Sequence, residues 1–172
     1  MSDTNRRFEK VALPHLSAAY NLARWLTRND HDAEDMVQEA YLRAFKFFDR
    51  FRGDDGRAWL LAIVRNTCYT WLKQNRIQEL HDSFDEEAHA EADSGSDPQT
   101  FMLQNADKKL LDRALEALPL EFREILIMRE LEDLSYKEIA TVAGIPLGTV
   151  MSRLARARNM LRASLERNMQ EK

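Results

Sequence analysis

Arginine and hydroxyl side chains recur at helical spacing near the end of this 172-residue chain. The group comprises Ser152, Arg153, Arg156 and Arg158. Guanidinium groups pair with guanine edges and with phosphates, and a helix that carries them fits the major groove of duplex DNA. The pattern therefore favours duplex DNA binding. The alternative is an amphipathic surface helix whose basic face is only solvated.

The residues before this basic helix predict a helix-turn-helix that would position it. Ser135, followed three residues later by Glu138, is a capping box, so a helix should begin there. Gly144 supplies the left-handed residue that ends this helix, and Pro146 suits the first turn of the next one. The side chains predicted to face the core are Ile139, Val142, Ala143, Val150 and Leu154.

A second group of side chains mixes aromatic rings with cations and one amide. It comprises Phe51, Arg52, Arg57, Trp59, Asn66, Tyr69, Lys73 and Arg76. Bases of single-stranded DNA stack on rings while cations follow the phosphates, and an amide can pair with the edge of a base held outside the duplex. The pattern favours single-stranded DNA binding. The alternative places Trp59 and Trp71 in the core, which we prefer for Trp71, and Tyr69 stays open between the two.

A third surface lies on the clearest helical pattern in the chain, from Asp32 to Arg50. The apolar stripe of this helix is Ala33, Met36, Val37, Ala40, Tyr41, Ala44, Phe45 and Phe48. The side chains left facing outward within two turns are Asp35, Gln38, Glu39 and Leu42. An exposed leucine inside a polar rim suits a protein interface. An ordinary solvated face is the alternative.

The composition predicts an all-α protein with two small helical domains, residues 1–78 and 101–172, the second containing the helix-turn-helix. Four prolines, five glycines and 44% hydrophobic residues suit helices and leave little room for a sheet with tight turns. Residues 79–100 are acidic, small and polar and lack periodicity. We therefore predict a flexible acidic linker there.

The net charge of −4 is unevenly distributed along the chain. Residues 1–76 carry 13 Lys and Arg against 10 Asp and Glu, and residues 108–172 carry 12 against 10. Residues 77–107 carry nine acids and no Lys or Arg. Both predicted domains are therefore mildly basic, which suits nucleic acid, and the segment between them supplies the net acidity.

The sequence argues against several classes of function. It has no phosphate-binding glycine loop, no metal-spaced set of cysteines and histidines, and no nucleophile paired with a base, so we expect no enzyme, no cofactor and no metal site. His81 and His89 are spaced too irregularly for a metal site. Cys68, the single cysteine, is expected to be a buried thiol. No apolar run resembles a signal peptide or a membrane span, so we expect a soluble cytoplasmic protein.

Short segments along nearly the whole chain stand in the order and spacing of one known family. In the first domain they are residues 32–41 (DAEDMVQEAY), 51–54 (FRGD), Trp59-Leu60 and Asn66-Thr67. In the second they are Leu118-Pro119, Arg129-Glu130-Leu131, Leu134-Ser135-Tyr136 and residues 148–153 (GTVMSR). On these segments the chain resembles the extracytoplasmic-function (ECF) sigma factors of the sigma-70 family.

The resemblance implies a promoter-specificity subunit of bacterial RNA polymerase. Core polymerase would be bound by Asp35, Gln38, Glu39 and Leu42. The minus-ten element would be contacted by Phe51, Arg52, Arg57, Trp59, Asn66 and Tyr69, with Phe51 and Asn66 shaping the pocket for a flipped base. The minus-thirty-five element would be contacted by Arg129, Thr149, Met151, Ser152, Arg153 and Arg156.

The resemblance also implies an anti-sigma factor that covers the polymerase-binding faces of both domains. We expect the chain to be a monomer when it is free of partners. At Met151 many family members carry a basic residue, and a methionine could instead pack against a thymine methyl group. Two other classes of function stay open. One is a stand-alone helix-turn-helix regulator that binds duplex DNA without polymerase, and the other is a protein-interaction adaptor that binds no DNA.

Overall fold

The computed structural model describes residues 2–82 and 102–170, and every regular element in these two ranges is helical. This confirms the predicted all-α class. The helices are α1 (Asp3–Ala12), α2 (Leu16–Thr27), α3 (Asp30–Lys46), α4 (Gly56–Asp82), α5 (Met102–Ala117), α6 (Leu120–Leu126), α7 (Tyr136–Ala143) and α8 (Leu147–Gln170). The irregular turns are a 3-10 turn at Leu13–His15, a second at Phe48–Arg50, and a π-helical turn at Ile127–Leu131.

The helix α4 continues to Asp82, into the segment predicted to be a linker. The rest of that segment lies outside the described residues. The same holds for the side chain of His81 and for all of His89. None of the helices in the described ranges is long and apolar enough to cross a bilayer.

Helices α1 to α4 form the first group, and α3 is its best-defined element. The side chain of Asn29 accepts a hydrogen bond from the backbone N–H of Asp32 (2.9 Å). Acidic side chains occupy the first turn of the helix, where they interact favourably with the positive end of the helix dipole. The predicted stripe is buried at Ala33, Met36, Val37, Ala40, Ala44 and Phe48. The prediction for α3 is therefore confirmed at most positions.

Phe45 departs from the predicted stripe, because 44% of the residue is exposed. Val37 is buried and Tyr41 half-buried, so exposure rises along this row of residues four apart. In an α-helix each step of four residues turns about 40° past a full revolution, so the row rotates away from the core. The Phe45 ring still packs against Phe8, with the two rings nearly perpendicular and their centroids 5.2 Å apart.

Helices α5 to α8 form the second group, and α7 and α8 form the predicted helix-turn-helix. Ser135 accepts a hydrogen bond from the backbone N–H of Glu138 (3.0 Å), and the Glu138 carboxylate accepts one from the N–H of Ser135 (2.9 Å). Gly144 ends α7 in the left-handed conformation, with φ of 67°. All five predicted core residues are buried: Ile139, Val142, Ala143, Val150 and Leu154.

The two helical groups pack against each other in this structure. The helix α4 lies against α7, and α2 lies against α6. Buried side chains from both groups form one continuous apolar cluster, and Trp71 packs half-buried against it. Cys68 is buried as predicted, and burial raises the pKa of its thiol to about 12.

Candidate nucleic-acid interface

The outer face of α8 presents a shallow cleft between side chains of the helix, and most of the lining residues are polar. Val150, Leu154 and Ala157 anchor the helix in the core, which turns the opposite face to solvent. The cleft is lined by Thr149, Ser152, Arg153, Ala155, Arg156 and Asn159. Four of these were predicted to contact the minus-thirty-five element. Asn159 was missed, although it lies three residues after Arg156 and seven after Ser152.

An apolar pair stands beside this cleft at the start of α8. Met151, which was predicted as a contact, is 52% exposed, and Leu147 is 48% exposed. The two residues are four positions apart and therefore neighbours on the helix surface. Leu147 was not predicted, because a leucine in the first turn of a helix is usually assigned to the core.

Arg129, the remaining predicted contact of this group, is engaged within the protein. Its guanidinium donates a hydrogen bond to the carbonyl oxygen of Leu134 (2.9 Å) and lies over the ring of Tyr136, 4.9 Å from the centroid. These contacts join the π-helical turn to the start of α7. In the free chain Arg129 therefore helps to hold the helix-turn-helix in place.

The aromatic part of the predicted single-strand surface is assembled where α4 begins. The rings of Phe51 and Trp59 are 4.8 Å apart, and the buried ring of Phe48 supports both. Arg52 is exposed, and its guanidinium donates to the carbonyl oxygen of Phe51 (3.1 Å). Asn66 is exposed seven residues after Trp59, two helical turns along the same face of α4.

A cleft of about 570 Å³ opens beside these rings, and both helical groups line it. The first group contributes Phe51, Arg52, Gly53, Asp54, Asp55, Ala58, Trp59 and Ala62, and the second contributes Ser135, Lys137, Glu138 and Thr141. The helix α7 therefore forms one wall of the cleft. Asn66 is not among the lining residues.

Arg57, one of the predicted minus-ten contacts, bonds instead to the second helical group. It donates to both carboxylate oxygens of Glu138, at 2.9 and 3.1 Å. Burial opposes the charged form of Glu138, but hydrogen bonds from Ser135 and Arg57 outweigh it and lower the pKa of this carboxyl. The same carboxylate therefore caps α7 and joins it to α4.

Tyr69, whose role the sequence left open, also bonds across the joint, which is the contact of α2 and α4 with α6 and α7. Its hydroxyl donates to Glu124 (2.8 Å), and burial, followed by the charge of Glu124, raises the pKa of Tyr69. Arg65 donates to both oxygens of the same carboxylate, at 2.8 and 2.9 Å, and stacks over the Tyr69 ring. Glu124 itself is fully buried. The only feature of the sequence that could have indicated this buried cluster is the presence of a carboxylate between the apolar residues of α6.

The outward face of α3 is placed as predicted. Asp35, Gln38, Glu39 and Leu42 are all exposed, and Leu42 is 72% exposed. Glu39 forms an exposed ion pair with Arg43 (2.9 Å). A neighbouring groove between α2 and α3, missed from the sequence, is lined by Leu16, Ser17, Tyr20, Asn21, Glu34, Val37 and Gln38.

Two family models match this chain, and together they cover most of it. Residues 12–77 match the model described as Sigma-70 region 2, and residues 108–161 match Sigma-70, region 4.

Within the described residues no group of three or more His, Cys, Asp or Glu side chains could hold a metal ion.

Related proteins and structures agree with these matches. The chain is 37% identical over 137 residues to the ECF RNA polymerase sigma-E factor of Escherichia coli strain K12, covering 76% of this chain and 72% of that protein. It is 31% identical over 170 residues to the ECF RNA polymerase sigma factor SigE of Mycolicibacterium smegmatis, covering 95% of this chain but 63% of that longer protein. The sigma factor RpoE of Bartonella quintana, crystallised with the anti-sigma factor NepR, superposes with a TM-score of 0.75 at 30% identity, covering 94% of this chain and 98% of that one. The chain therefore belongs to the sigma-70 family, among the ECF sigma factors.

Proposed function

We propose that this chain binds bacterial core RNA polymerase, recognises the minus-thirty-five and minus-ten elements of a promoter, and promotes strand opening for transcription initiation. The observation that carries the proposal is the exposed face of α8, where Ser152, Arg153 and Arg156 line a cleft on the helix-turn-helix. A helix with this face fits the major groove of the minus-thirty-five duplex. The protein acts as an initiation factor and carries out no catalytic step.

The face of α3 supports the assignment of a polymerase contact. Asp35, Gln38 and Glu39 are exposed around Leu42, and a leucine exposed over most of its surface has no role in the fold of the free chain. Interfaces commonly combine an apolar centre with a polar rim. We assign this face to the largest subunit of the core enzyme.

The rings of Phe51 and Trp59 support capture of the opened minus-ten strand. Both are half-buried and in contact with each other, and such rings offer a stacking surface for bases. Asn66 has an exposed amide for hydrogen bonding to a base edge. Neither domain needs a high affinity of its own, because joining the two in one chain raises the effective concentration of the second contact, so promoter selectivity is the product of both.

We also propose that an anti-sigma factor controls the chain, as the pairing of the Bartonella protein with NepR suggests. The groove beside α3 supports a protein partner, because Leu16 is exposed on its rim. In the absence of partners we expect a cytoplasmic monomer.

Transcription from a genomic library tests the proposed function directly. Core polymerase with and without the chain is incubated on sheared genomic DNA, and the 5′ ends of the transcripts are sequenced. The proposal expects new start sites that share upstream elements. A helix-turn-helix regulator would bind duplex DNA yet create no start sites with core enzyme alone, and that result would contradict the proposal.

Replacing Arg156 with alanine should weaken binding to the promoter duplex about tenfold, because one good base contact contributes about 1–3 kcal/mol of discrimination. The measurement is fluorescence anisotropy at fixed salt, using a minus-thirty-five duplex from the transcript start sites. The matched control is Arg167→Ala, which removes another exposed arginine three turns further along α8. Equal affinities of the two variants for the duplex would show that Arg156 does not contribute to the DNA interface.

A further inference from the structure

The first three turns of α8 expose a row of apolar side chains beside the polar cleft. Leu147 and Met151 are each exposed over about half of their surface, and Ala155, four residues further on, is also exposed. Residues four apart are neighbours on a helix surface. Leu147, Met151 and Ala155 therefore form one continuous row, which we call the apolar stripe of α8.

The fold of the chain does not account for the apolar stripe. The helix α8 is anchored in the core by Val150, Leu154 and Ala157. Among the described residues, neither Leu147 nor Met151 belongs to the apolar cluster or to the side chains packed against it. Single exposed apolar residues are common on protein surfaces, but adjacent ones mark a binding surface.

Gly148 leaves open space between the two large side chains of the stripe. Its backbone has no positive φ, and a Cβ atom added there would meet no heavy atom within 4 Å. The fold therefore does not require a glycine at this position, although glycine is less favourable than alanine within a helix. The missing side chain lets another molecule approach the backbone of α8 closely.

The charges on α8 indicate that this other molecule is a polyanion. Between Leu147 and Leu165 the helix carries four arginines and no acidic residue. Arg156 lies next to the apolar stripe and lines the cleft with Ser152. The centres of protein interfaces are commonly depleted of charged residues, whereas arginines attract the phosphates of DNA. The stripe and its surroundings therefore fit duplex DNA better than a protein partner.

Duplex DNA offers one apolar group in its major groove, the 5-methyl group of thymine. The other base edges there present hydrogen-bond donors and acceptors, which a leucine side chain cannot pair. An apolar side chain held against such an edge would leave its polar atoms without water or a partner. The only base feature in the groove that suits the apolar stripe is therefore a thymine methyl group.

We propose that Leu147 and Met151 read the methyl groups of two thymines in the minus-thirty-five element, beside the bases contacted by Ser152 and Arg156. This inference rests on the duplex-reading role of α8 proposed above. The step from Leu147 to Met151 covers about 6 Å of the helix axis, and one base-pair step is about 3.4 Å. The two thymines should therefore lie within about two base-pair steps of each other.

Replacing thymine with deoxyuridine tests this inference, because it removes the methyl group and keeps every hydrogen-bonding atom of the base. The full-length chain is first used to select its preferred sites from a pool of short duplexes randomised at every position. Each thymine of a selected duplex is then replaced in turn by deoxyuridine. Binding is measured by fluorescence anisotropy at fixed salt.

The variants are Leu147→Ala and Met151→Ala, which shorten exposed side chains and leave the core intact. The matched control is Met169→Ala, which makes the same change at a methionine that is 68% exposed, five turns beyond Met151 on α8. Circular dichroism verifies that each variant keeps its helical content.

Deoxyuridine at two positions should each weaken binding of the wild type about fourfold, the factor expected for one buried methyl group. Met151→Ala should lose this sensitivity at one position and Leu147→Ala at the other, because each pair of side chain and methyl group is coupled. Met169→Ala should keep the sensitivity at both.

A wild-type affinity that no deoxyuridine changes would overturn the inference, and this measurement does not depend on any variant. Selected duplexes without thymine, or a pool in which no sequence is enriched, would overturn it as well. Equal sensitivity in the wild type and both variants would assign the methyl contacts to other residues. Loss of affinity for purified core enzyme in Met151→Ala, with duplex affinity unchanged, would make the stripe a protein docking surface instead.

Failure of the proposed function gives a different result. It would appear as missing start sites in the library experiment, whereas the effect of deoxyuridine on the selected duplex is measured without polymerase. Start sites without any effect of deoxyuridine would leave the proposed function in place and contradict the reading of methyl groups alone.

Discussion

Replacing Leu42 with aspartate should weaken binding to core RNA polymerase about 30-fold or more. Central apolar anchors of interfaces commonly cost about 2 kcal/mol or more when removed, and aspartate adds a charge that the interface would have to desolvate. Leu42 is 72% exposed on α3, so the substitution removes no core contact and should leave the free energy of unfolding nearly unchanged. The measurement is binding of the labelled chain to purified core enzyme, with a urea melt of the free chain.

The control for this prediction is Leu13→Asp, which makes the same chemical change at a half-exposed leucine outside α3. Its affinity for core enzyme should stay within about twofold of the wild type, as surface substitutions away from an interface have small effects. If Leu42→Asp binds core enzyme as tightly as Leu13→Asp does, the α3 face is not the docking surface.

The helix-turn-helix was predictable from sequence because its signals are local. The capping box needs only Ser135 and Glu138, and the end of α7 needs only the positive φ of Gly144. The apolar spacing then decides which face of α8 is exposed. For the same reason the outward face of α3 was predicted correctly, whereas Phe45 at the edge of the stripe was not.

The joint between the helical groups was not predictable in this way. Arg65 and Glu124 are 59 residues apart in sequence, and neither has a spacing that points to the other. The side chains of Arg57 and Tyr69 can bind DNA, and in this structure each of them donates a hydrogen bond to a carboxylate of the second helical group. Side-chain chemistry indicates which ligands a residue can bind, while the packing of distant helices decides which one it meets.

Arg123 is a second buried charge that the sequence did not reveal, because its partners are backbone carbonyl oxygens. Its guanidinium donates to the carbonyl oxygens of Leu115 (3.2 Å), Glu116 (3.2 Å) and Leu118 (3.1 Å), at the end of α5. A fourth hydrogen bond reaches the carbonyl oxygen of Trp25 on α2 (3.0 Å). The last carbonyls of a helix lack backbone partners within it, so Arg123 supplies donors to Glu116 and Leu118. The Leu115 carbonyl oxygen also accepts a hydrogen bond from the backbone N–H of Leu118 (3.1 Å).

Replacing Arg123 with methionine should lower the free energy of unfolding by about 3 kcal/mol or more, because each buried carbonyl left without a donor costs about 1 kcal/mol or more. Methionine keeps much of the side-chain length, which limits the effect of lost packing. Burial lowers the pKa of Arg123, yet an arginine stays charged at neutral pH, so the hydrogen bonds persist through the physiological range. The measurement is a urea melt followed by circular dichroism at fixed pH.

Arg113→Met is the matched control, since Arg113 is exposed on α5 and its substitution makes the same change in charge and size. The free energy of unfolding of this variant should lie within about 0.5 kcal/mol of the wild-type value. Because one of the four hydrogen bonds of Arg123 crosses to α2, Arg123→Met should also loosen the joint, whereas Arg113→Met should not. Equal free energies of unfolding for the two variants would show that the carbonyls at the end of α5 find other donors. The structural role assigned to Arg123 would then be wrong.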